Sequence, residues 1–265
     1  MGDGPALTAL GFELPAPHVA LVTLRRAEVA NALSRQLFDE LDGVLDRIER
    51  DDDIRVWILT GAPRPDGRPW FSAGADMKEA GTRQGRVDPA KVVDRIDEML
   101  KPSIAAIAGT CTTGALEVVL ACDLRIAATD ARLSDWHLKR TGLGIGAWGA
   151  AARLSRLIGV DRAKEFILLG QEISGTRAAE IGLVHRAVPV EDLLAEALTM
   201  ATTIAGMARR GVRTTLGYLE LQADMAKREA IRWGPATPGY MGLELRPFTD
   251  AAGRFFREKG DPGER

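Results

Sequence analysis

The residue with the most chemistry to offer is Glu117, because of its neighbours. It stands in the run Gly114-Ala115-Leu116-Glu117-Val118-Val119-Leu120-Ala121, which reads as a helix joining two strands expected over residues 103–108 and 124–128. A crossover helix between parallel strands is largely buried. Burying an ionised carboxylate without partners costs several kcal/mol, so a carboxylate there is either paired or held neutral, and such a group suits general acid or base work. A glutamate in the first turn of a helix also favours the helix dipole and can cap free N–H groups, so position alone leaves both roles open. Just before the helix, Gly109 and Gly114 bracket Thr110-Cys111-Thr112-Thr113 at a strand-to-helix junction. A helix start offers unpaired N–H groups and partial positive charge, as a developing oxyanion needs, and glycine lets a ligand approach closely; an ordinary tight turn would read the same way. Phe71-Ser72-Ala73-Gly74-Ala75-Asp76 is a second loop of small residues that permits close backbone approach.

The elements that must position these groups follow from periodicity. Residues 19–24 alternate as a strand does. Ser34 precedes a helix whose apolar residues Leu37, Phe38, Leu41, Val44, Leu45 and Ile48 share one face. Residues 54–60 read as a buried strand, followed by a Gly/Pro-rich loop over 61–69. Asp88-Pro89 opens a helix lined by Val92, Val93, Ile96, Met99 and Leu100, which Lys101-Pro102 stops. Strand, helix and strand then follow over 103–128, which points to a mostly parallel sheet with helical crossovers. Beyond Gly144 the chain turns helical, with one late strand at 184–188. Long helices are expected over 190–233 with a break near Arg210-Gly211, then a Gly/Pro-rich connection over 234–247 and a last helix over 249–259. The reading is one α/β core, residues 1–200, with a helical C-terminal region, residues 201–265, as part of the same functional unit.

Composition narrows the function classes. The 265 residues are 46% apolar and 27% charged, with a net charge of −2, which fits a folded soluble protein and gives no basic surplus for nucleic acid or an anionic membrane. Two cysteines, Cys111 and Cys122, are too few for a disulfide scaffold and match no metal spacing, so a reduced cytoplasmic setting and no metal are expected. Residues 1–6 show no basic stretch leading into an apolar one, and no run approaches the length of a membrane helix.

Five segments in order resemble the crotonase superfamily, the enoyl-CoA hydratase/isomerase family. They are Asn31-Ala32-Leu33, Phe71-Ser72-Ala73-Gly74-Ala75-Asp76, Lys101-Pro102-Ser103-Ile104-Ala105-Ala106-Ile107, Ala121-Cys122-Asp123-Leu124-Arg125-Ile126-Ala127 and Gly182-Leu183-Val184-His185-Arg186-Ala187-Val188-Pro189. The resemblance implies a spiral of repeated β-β-α units, a homo-trimer or hexamer assembled through the C-terminal helices, and an acyl-CoA thioester substrate with no other cofactor. It implies an oxyanion hole from the N–H groups of Ala75 and Gly114, and places Glu117 on the family's first catalytic glutamate. Ala73, Asp76 and Met77 fall on the adenine side of the CoA cleft, and Arg26 and Glu28 on CoA-contacting positions, with Glu28 in place of a usual lysine. Hydratases carry a second glutamate where this chain has His137, within Ser134-Asp135-Trp136-His137.

Hydration of a 2-enoyl thioester needs a polarised carbonyl, an activated water and a proton for the α-carbon. The oxyanion hole, Glu117 and His137 can supply these in turn, since imidazole titrates near neutrality and would face Glu117 across the acyl chain. Asp135 is the rival for the second group. Isomerisation, decarboxylation or carbon–carbon hydrolysis on an acyl-CoA are the alternatives, and a non-catalytic relative comes last. Ser134, Asp135 and His137 are too close in sequence to converge as a hydrolytic triad. Trp136 and Trp148 are expected in the pocket wall, and His18 and His185 at the surface or at strand ends.

Overall fold

Parallel strands covered on both faces need continuous apolar runs rather than alternation, and the middle of this chain supplies them. In the computed structural model, described for residues 7–79 and 85–240, the strands are β1 (Leu10–Ala16), β2 (Val19–Leu24), β3 (Val56–Gly61), β4 (Trp70–Ser72), β5 (Ser103–Ile107), β6 (Thr110–Thr112), β7 (Leu124–Ala128), β8 (Arg132–Ser134), β9 (Glu172–Ser174) and β10 (Arg186–Val188). The helices of the first unit are α1 (Arg35–Arg50), α2 (Pro89–Glu98), α3 (Gly114–Ala121), α4 (His137–Thr141), α5 (Ala150–Ile158), α6 (Val160–Leu169), α7 (Gly175–Glu180) and α8 (Leu193–Ala205).

Among the described residues the strands form two sheets, β1-β2-β3-β5-β7-β10 and β4-β6-β8-β9. Within the first, β2 through β10 run parallel and β1 is antiparallel to β2; within the second, β4, β6 and β8 run parallel and β9 closes the edge antiparallel. The chain visits the large sheet, the small sheet and then a helix three times, as β3-β4-α2, β5-β6-α3 and β7-β8-α4. This is the expected repeat of β-β-α units. Every residue of β5 is buried, and so is every residue of α3, Glu117 included.

The caps act as the sequence predicts. Ser34 Oγ accepts from Leu37 N at 3.1 Å, and Asp88 Oδ1 from Ala90 N at 3.1 Å with Pro89 at the first helical position. All six apolar residues expected on one face of α1 are buried. Lys101 is buried, and its Nζ donates to Ile48 O and Asp51 O at 2.6 and 2.7 Å, closing the C-terminus of α1.

Several expectations change. The break expected near Arg210-Gly211 comes a few residues earlier: Gly211 itself lies inside α9 (Arg209–Gln222), since a single glycine costs a helix only about 1 kcal/mol. The breaks fall at residues 206–208, before α9, and at 223–226, before α10 (Lys227–Trp233), with α11 (Thr237–Tyr240) after it. The late strand loses its first two residues, because Val184 N turns back to Ala178 O. Residue 200 lies inside α8, which packs on β3 and β5, and the compact unit ends at Met207. A second unit, from Ala208 on, holds α9 to α11; in it Tyr218 Oη donates to Ala230 O at 2.6 Å. Residues 1–6, the last helix expected over 249–259 and the end of the connection before it lie outside the described residues.

Candidate active site

Glu117 is 1% exposed and sits in the first turn of α3, directly after β6. Its carboxylate does not cap its own helix. Oε1 accepts from Trp148 N at 2.7 Å and Ala150 N at 3.1 Å, the turn that opens α5. Gly146 completes this seat: its φ is +74°, and a Cβ there would collide with Glu117 Oε1. One oxygen is thus fixed by backbone donors, and the other faces His137, with Oε2 3.3 Å from Nε2.

His137 opens α4, just past the end of β8, so its ring is carried to the N-terminal end of α3. Its backbone N and its Nδ1 both meet Asp135 Oδ1, at 2.8 and 3.0 Å. Asp135 is 1% exposed, and its Oδ2 has no hydrogen-bond partner among the described residues. Burial disfavours the imidazolium, but hydrogen bonds and charge from Asp135 and then Glu117 outweigh it, and His137 is pushed up to about 9. The sequence placed this titration near neutrality and set the imidazole across the acyl chain from Glu117. The structure places it beside Glu117, with Asp135 behind it, so that at neutral pH a protonated imidazole touches the Glu117 side chain. Ser134 Oγ donates to Thr112 Oγ1 at 2.9 Å, away from His137, and no Ser-His-Asp triad forms.

The two glycine-containing loops meet at the start of α3. An ideal Cβ on Gly114 would lie 3.2 Å from Ala75 N and 2.6 Å from Cζ3 of Trp148. Among the described residues neither Ala75 N nor Gly114 N donates to a protein acceptor. Two convergent donors of this kind can hold a carbonyl oxygen that gains negative charge. Thr113, just before them, has φ +57° and ψ −116°, a conformation β-branched residues rarely adopt; Thr113 N donates to Ser134 O at 3.0 Å and Thr113 O accepts from Glu117 N at 3.1 Å.

The loop carrying Ala75 is clipped to residues 30–33. Leu33 N donates to Gly74 O, Asp76 N to Leu33 O and Ala73 N to Ala30 O, at 2.9, 3.0 and 3.0 Å. Ser72 Oγ donates to Asn31 O at 2.7 Å, and buried Asn31 Nδ2 donates to Ala62 O and Phe71 O at 2.8 and 3.0 Å. Arg26 Nη1 donates to Ala32 O at 2.6 Å and pairs with Asp76 Oδ2 at 2.9 Å. Burial works against the Asp76 carboxylate, yet the Arg26 hydrogen bond and the Lys78 N–H hold its pKa below the usual value. Arg26 and Asp76 therefore brace this loop through one another, while Glu28 and Met77 are exposed beside it and Ala73 is half-buried.

Trp148 packs edge-on against Phe38, ring centroids 5.0 Å apart, and covers Gly114. Trp136 lies under the Arg140 guanidinium at 4.8 Å. His185 Nδ1 accepts from Arg125 N at 3.1 Å next to β10, and His18 Nδ1 meets Asp53 O at 2.8 Å in an exposed turn. The sequence reading missed the seat of Glu117, namely Gly146 and the N–H groups of Trp148 and Ala150. The signal was the density of glycines over 142–149, which marks a backbone obliged to approach something closely.

Residues 16–234 match the family model described as enoyl-CoA hydratase/isomerase. A short-chain-enoyl-CoA hydratase of Clostridium acetobutylicum is 38% identical over 202 residues, covering 74% of this chain and 75% of that protein. The crystal structure of an enoyl-CoA hydratase from Bacillus anthracis superposes with a TM-score of 0.83 at 34% identity, covering 96% of this chain and 98% of that one. A monofunctional enoyl-CoA isomerase from M. smegmatis superposes with a TM-score of 0.71 at 33% identity, covering 84% and 97%.

Proposed function

The chain belongs to the enoyl-CoA hydratase/isomerase family, and from that premise we propose that it adds water to a 2-enoyl-CoA thioester, or removes it in reverse, with Glu117 and His137 as the proton-transfer pair. The observation that carries this reading is the contact between Glu117 Oε2 and His137 Nε2 beside two unengaged backbone donors. The thioester carbonyl oxygen binds the N–H groups of Ala75 and Gly114, which stabilise the enolate as it forms. Glu117 takes a proton from water as the hydroxyl adds to the β-carbon. His137, an imidazolium at neutral pH, gives its Nε2 proton to the α-carbon. The proton left on Glu117 then passes to His137 Nε2, restoring both groups with one water added. Asp135 accepts the Nδ1–H and keeps Nε2 turned toward Glu117.

The CoA moiety would lie along Arg26, Glu28, Ala73, Asp76 and Met77, met mostly by backbone. No cofactor beyond the thioester is invoked, and no nucleic-acid or membrane partner is proposed. Among the described residues no helix is long and apolar enough to cross a membrane. We place the protein in the cytoplasm as a homo-trimer or hexamer, on the likeness to its family.

The test is turnover of a panel of enoyl-CoA, 3-hydroxyacyl-CoA and β-ketoacyl-CoA thioesters by the wild type and Glu117→Gln. Hydration is expected, falling at least ~10²-fold in the variant while CoA affinity stays nearly intact. Near-normal turnover by Glu117→Gln would refute the mechanism. Double-bond migration or loss of CO₂ without hydration would move the reaction to isomerase or decarboxylase. A monomer of 28.6 kDa in light scattering of the same preparation would refute the assembly.

A further inference from the structure

Glu117 works only if its carboxylate stays put, and the seat that holds it is a turn pivoting on a glycine. The two donors to Oε1, Trp148 N and Ala150 N, flank Gly149, whose φ is +95°. Glycine itself does not stiffen such a turn, because it reaches many backbone conformations at similar free energy; the backbone bond from Ala151 N to Ile145 O at 3.1 Å closes it from inside. One side chain grips it from outside. Arg153 Nη1 donates to Trp148 O at 2.5 Å; separately, the backbone N–H of Arg153 donates to Gly149 O at 3.0 Å as the first bond of α5. The first bond fixes the peptide plane between the two donors, and the second fixes the plane that carries Ala150 N–H. The guanidinium lies so close over Gly149 that a Cβ there would collide with Nη1. Its far side is tied to α2: Nε meets Asp97 Oδ2 at 3.0 Å, and Nη2 meets Asp94 Oδ1 and Asp97 Oδ2 at 2.9 Å each.

We propose that Arg153, anchored by Asp94 and Asp97, is a positioning residue for the reaction: it locks the turn at residues 148–150 and thereby fixes both the Glu117 carboxylate and the Trp148 ring that walls Gly114. The inference rests on Glu117 being the proton-transfer group. Arg153 touches no reacting atom. It suits this task better than lysine would, because a planar fork can serve the carbonyl and both carboxylates at once, whereas an ammonium is a single point charge on a flexible stem.

The test compares Arg153→Met, Arg153→Lys and the double variant Asp94→Asn/Asp97→Asn with the wild type, reading kcat, KM and Tm. Arg153→Met keeps the stem and loses the fork. A displacement of about 1 Å at a reacting group is worth up to ~10²-fold, so kcat should fall by ~10–10²-fold with KM within about twofold. Arg153→Lys should recover part of that loss. The double variant, which frees the anchor and leaves the fork, should lose a smaller share of kcat at a Tm above the assay temperature. The proposal is overturned if Arg153→Met keeps wild-type kcat, or if its loss tracks Tm alone, Lys restores nothing and the double variant is fully active. Glu117→Gln in the same assay separates the two readings. If that variant is inactive while Arg153→Met is normal, only the positioning role fails; if it is active, the assignment of Glu117 fails first.

Discussion

The two ends of α3 are both buried and both polar, and they treat their polar groups in opposite ways. At the C-terminal end, Arg125 is 5% exposed and donates to the carbonyls of Val119, Leu120, Cys122 and Leu183. Asp123 Oδ2 takes both Ser103 N and Ser103 Oγ at 2.7 Å. Burial pushes Asp123 up and Arg125 down, and each partly steadies the other's charge. The carbonyls at this helix end are met by a side chain fixed in place, Val119 O by Cys122 N as well. At the N-terminal end, Gly114 N and Ala75 N have no acceptor among the described residues, Asp135 Oδ2 has no donor, and Glu117 keeps one oxygen on a titratable ring. A carboxylate drawn out of water is therefore no signature of chemistry in itself, since half-buried Asp123 and buried Glu117 are both held by hydrogen bonds. The distinguishing feature is groups that remain unsatisfied or titratable once the fold is complete.

The largest expected effect breaks the open end. His137→Ala should lower kcat by ~10²–10⁴-fold, the usual range for a lost general acid. If hydration runs as proposed, the working form is the imidazolium, and kcat/KM of the wild type should fall as pH rises through about 9. Asp135→Asn should bring that limb down toward neutrality, because it removes the leading charge that supports the proton. Stability should follow the same group. The pKa is raised from 6.5 to about 9 on folding, so its contribution is complete below 6.5 and is lost as pH climbs to about 9. The Tm of the wild type should drop over that window relative to His137→Ala. An unchanged rate and pH profile in His137→Ala would leave Glu117 working alone with the oxyanion donors, as an isomerisation or decarboxylation would require.

The next effect falls on the closed end and should appear in a different measurement. Arg125→Met keeps most of the stem and removes a donor from four carbonyls, of which Val119 O still accepts from Cys122 N. Leaving buried acceptors unsatisfied makes a loss of about 3 kcal/mol the expected outcome in chemical denaturation. The kcat per folded molecule should stay within ~2-fold of the wild type, since nothing at this end donates to a reacting atom. A large fall in kcat at unchanged stability would mean that the two ends are coupled and that the contrast drawn between them is wrong.

The sequence exposed these two ends unevenly. The apolar face of α1 was readable because one-sided burial on a helix leaves a spacing of 3.6, and α3 and β5 because elements buried on all sides leave nearly continuous apolar runs; β7 was readable although Arg125 interrupts its run. The strands β4, β6, β8 and β9 were not readable: three residues carry no period, and their pairing is set by distant partners. Glu117 stood out as a charge inside an apolar run. Its seat did not, because Trp148 N and Ala150 N act through backbone groups that every residue but proline possesses. His137 was found by position within a family pattern. Its company of two carboxylates, and so its raised pKa, depends on a strand end and a helix start that only the folded chain brings to α3.

The smallest expected effect concerns Thr113, and it tests whether the open end also holds backbone strain. A β-branched residue at φ +57° is held there by its neighbours, with its N–H on Ser134 O and its carbonyl on Glu117 N. Strain of this kind is on the order of 1–3 kcal/mol. Thr113→Gly would relieve it, but the glycine would loosen the unfolded chain by about 0.4–1 kcal/mol. The hydroxyl contact with Thr112 Oγ1, 3.0 Å in the structure, would also be lost, worth about 0.5–1.5 kcal/mol. These terms nearly cancel, so Tm should move by no more than a few degrees, upward if the strain is at the top of its range. Activity should stay within about threefold, because the two backbone bonds that aim Gly114 N survive the change. Thr113→Ala separates the contributions: it removes the hydroxyl and the branch while keeping most of the unfolded-chain restriction. If Ala is clearly less stable than Gly, the left-handed conformation itself is what the fold works to maintain. If both variants are destabilised by more than ~2 kcal/mol, the hydroxyl chain from Ser134 through Thr112 to Thr113 is holding this end together, and the N-terminal end is more tightly closed than its free donors suggest.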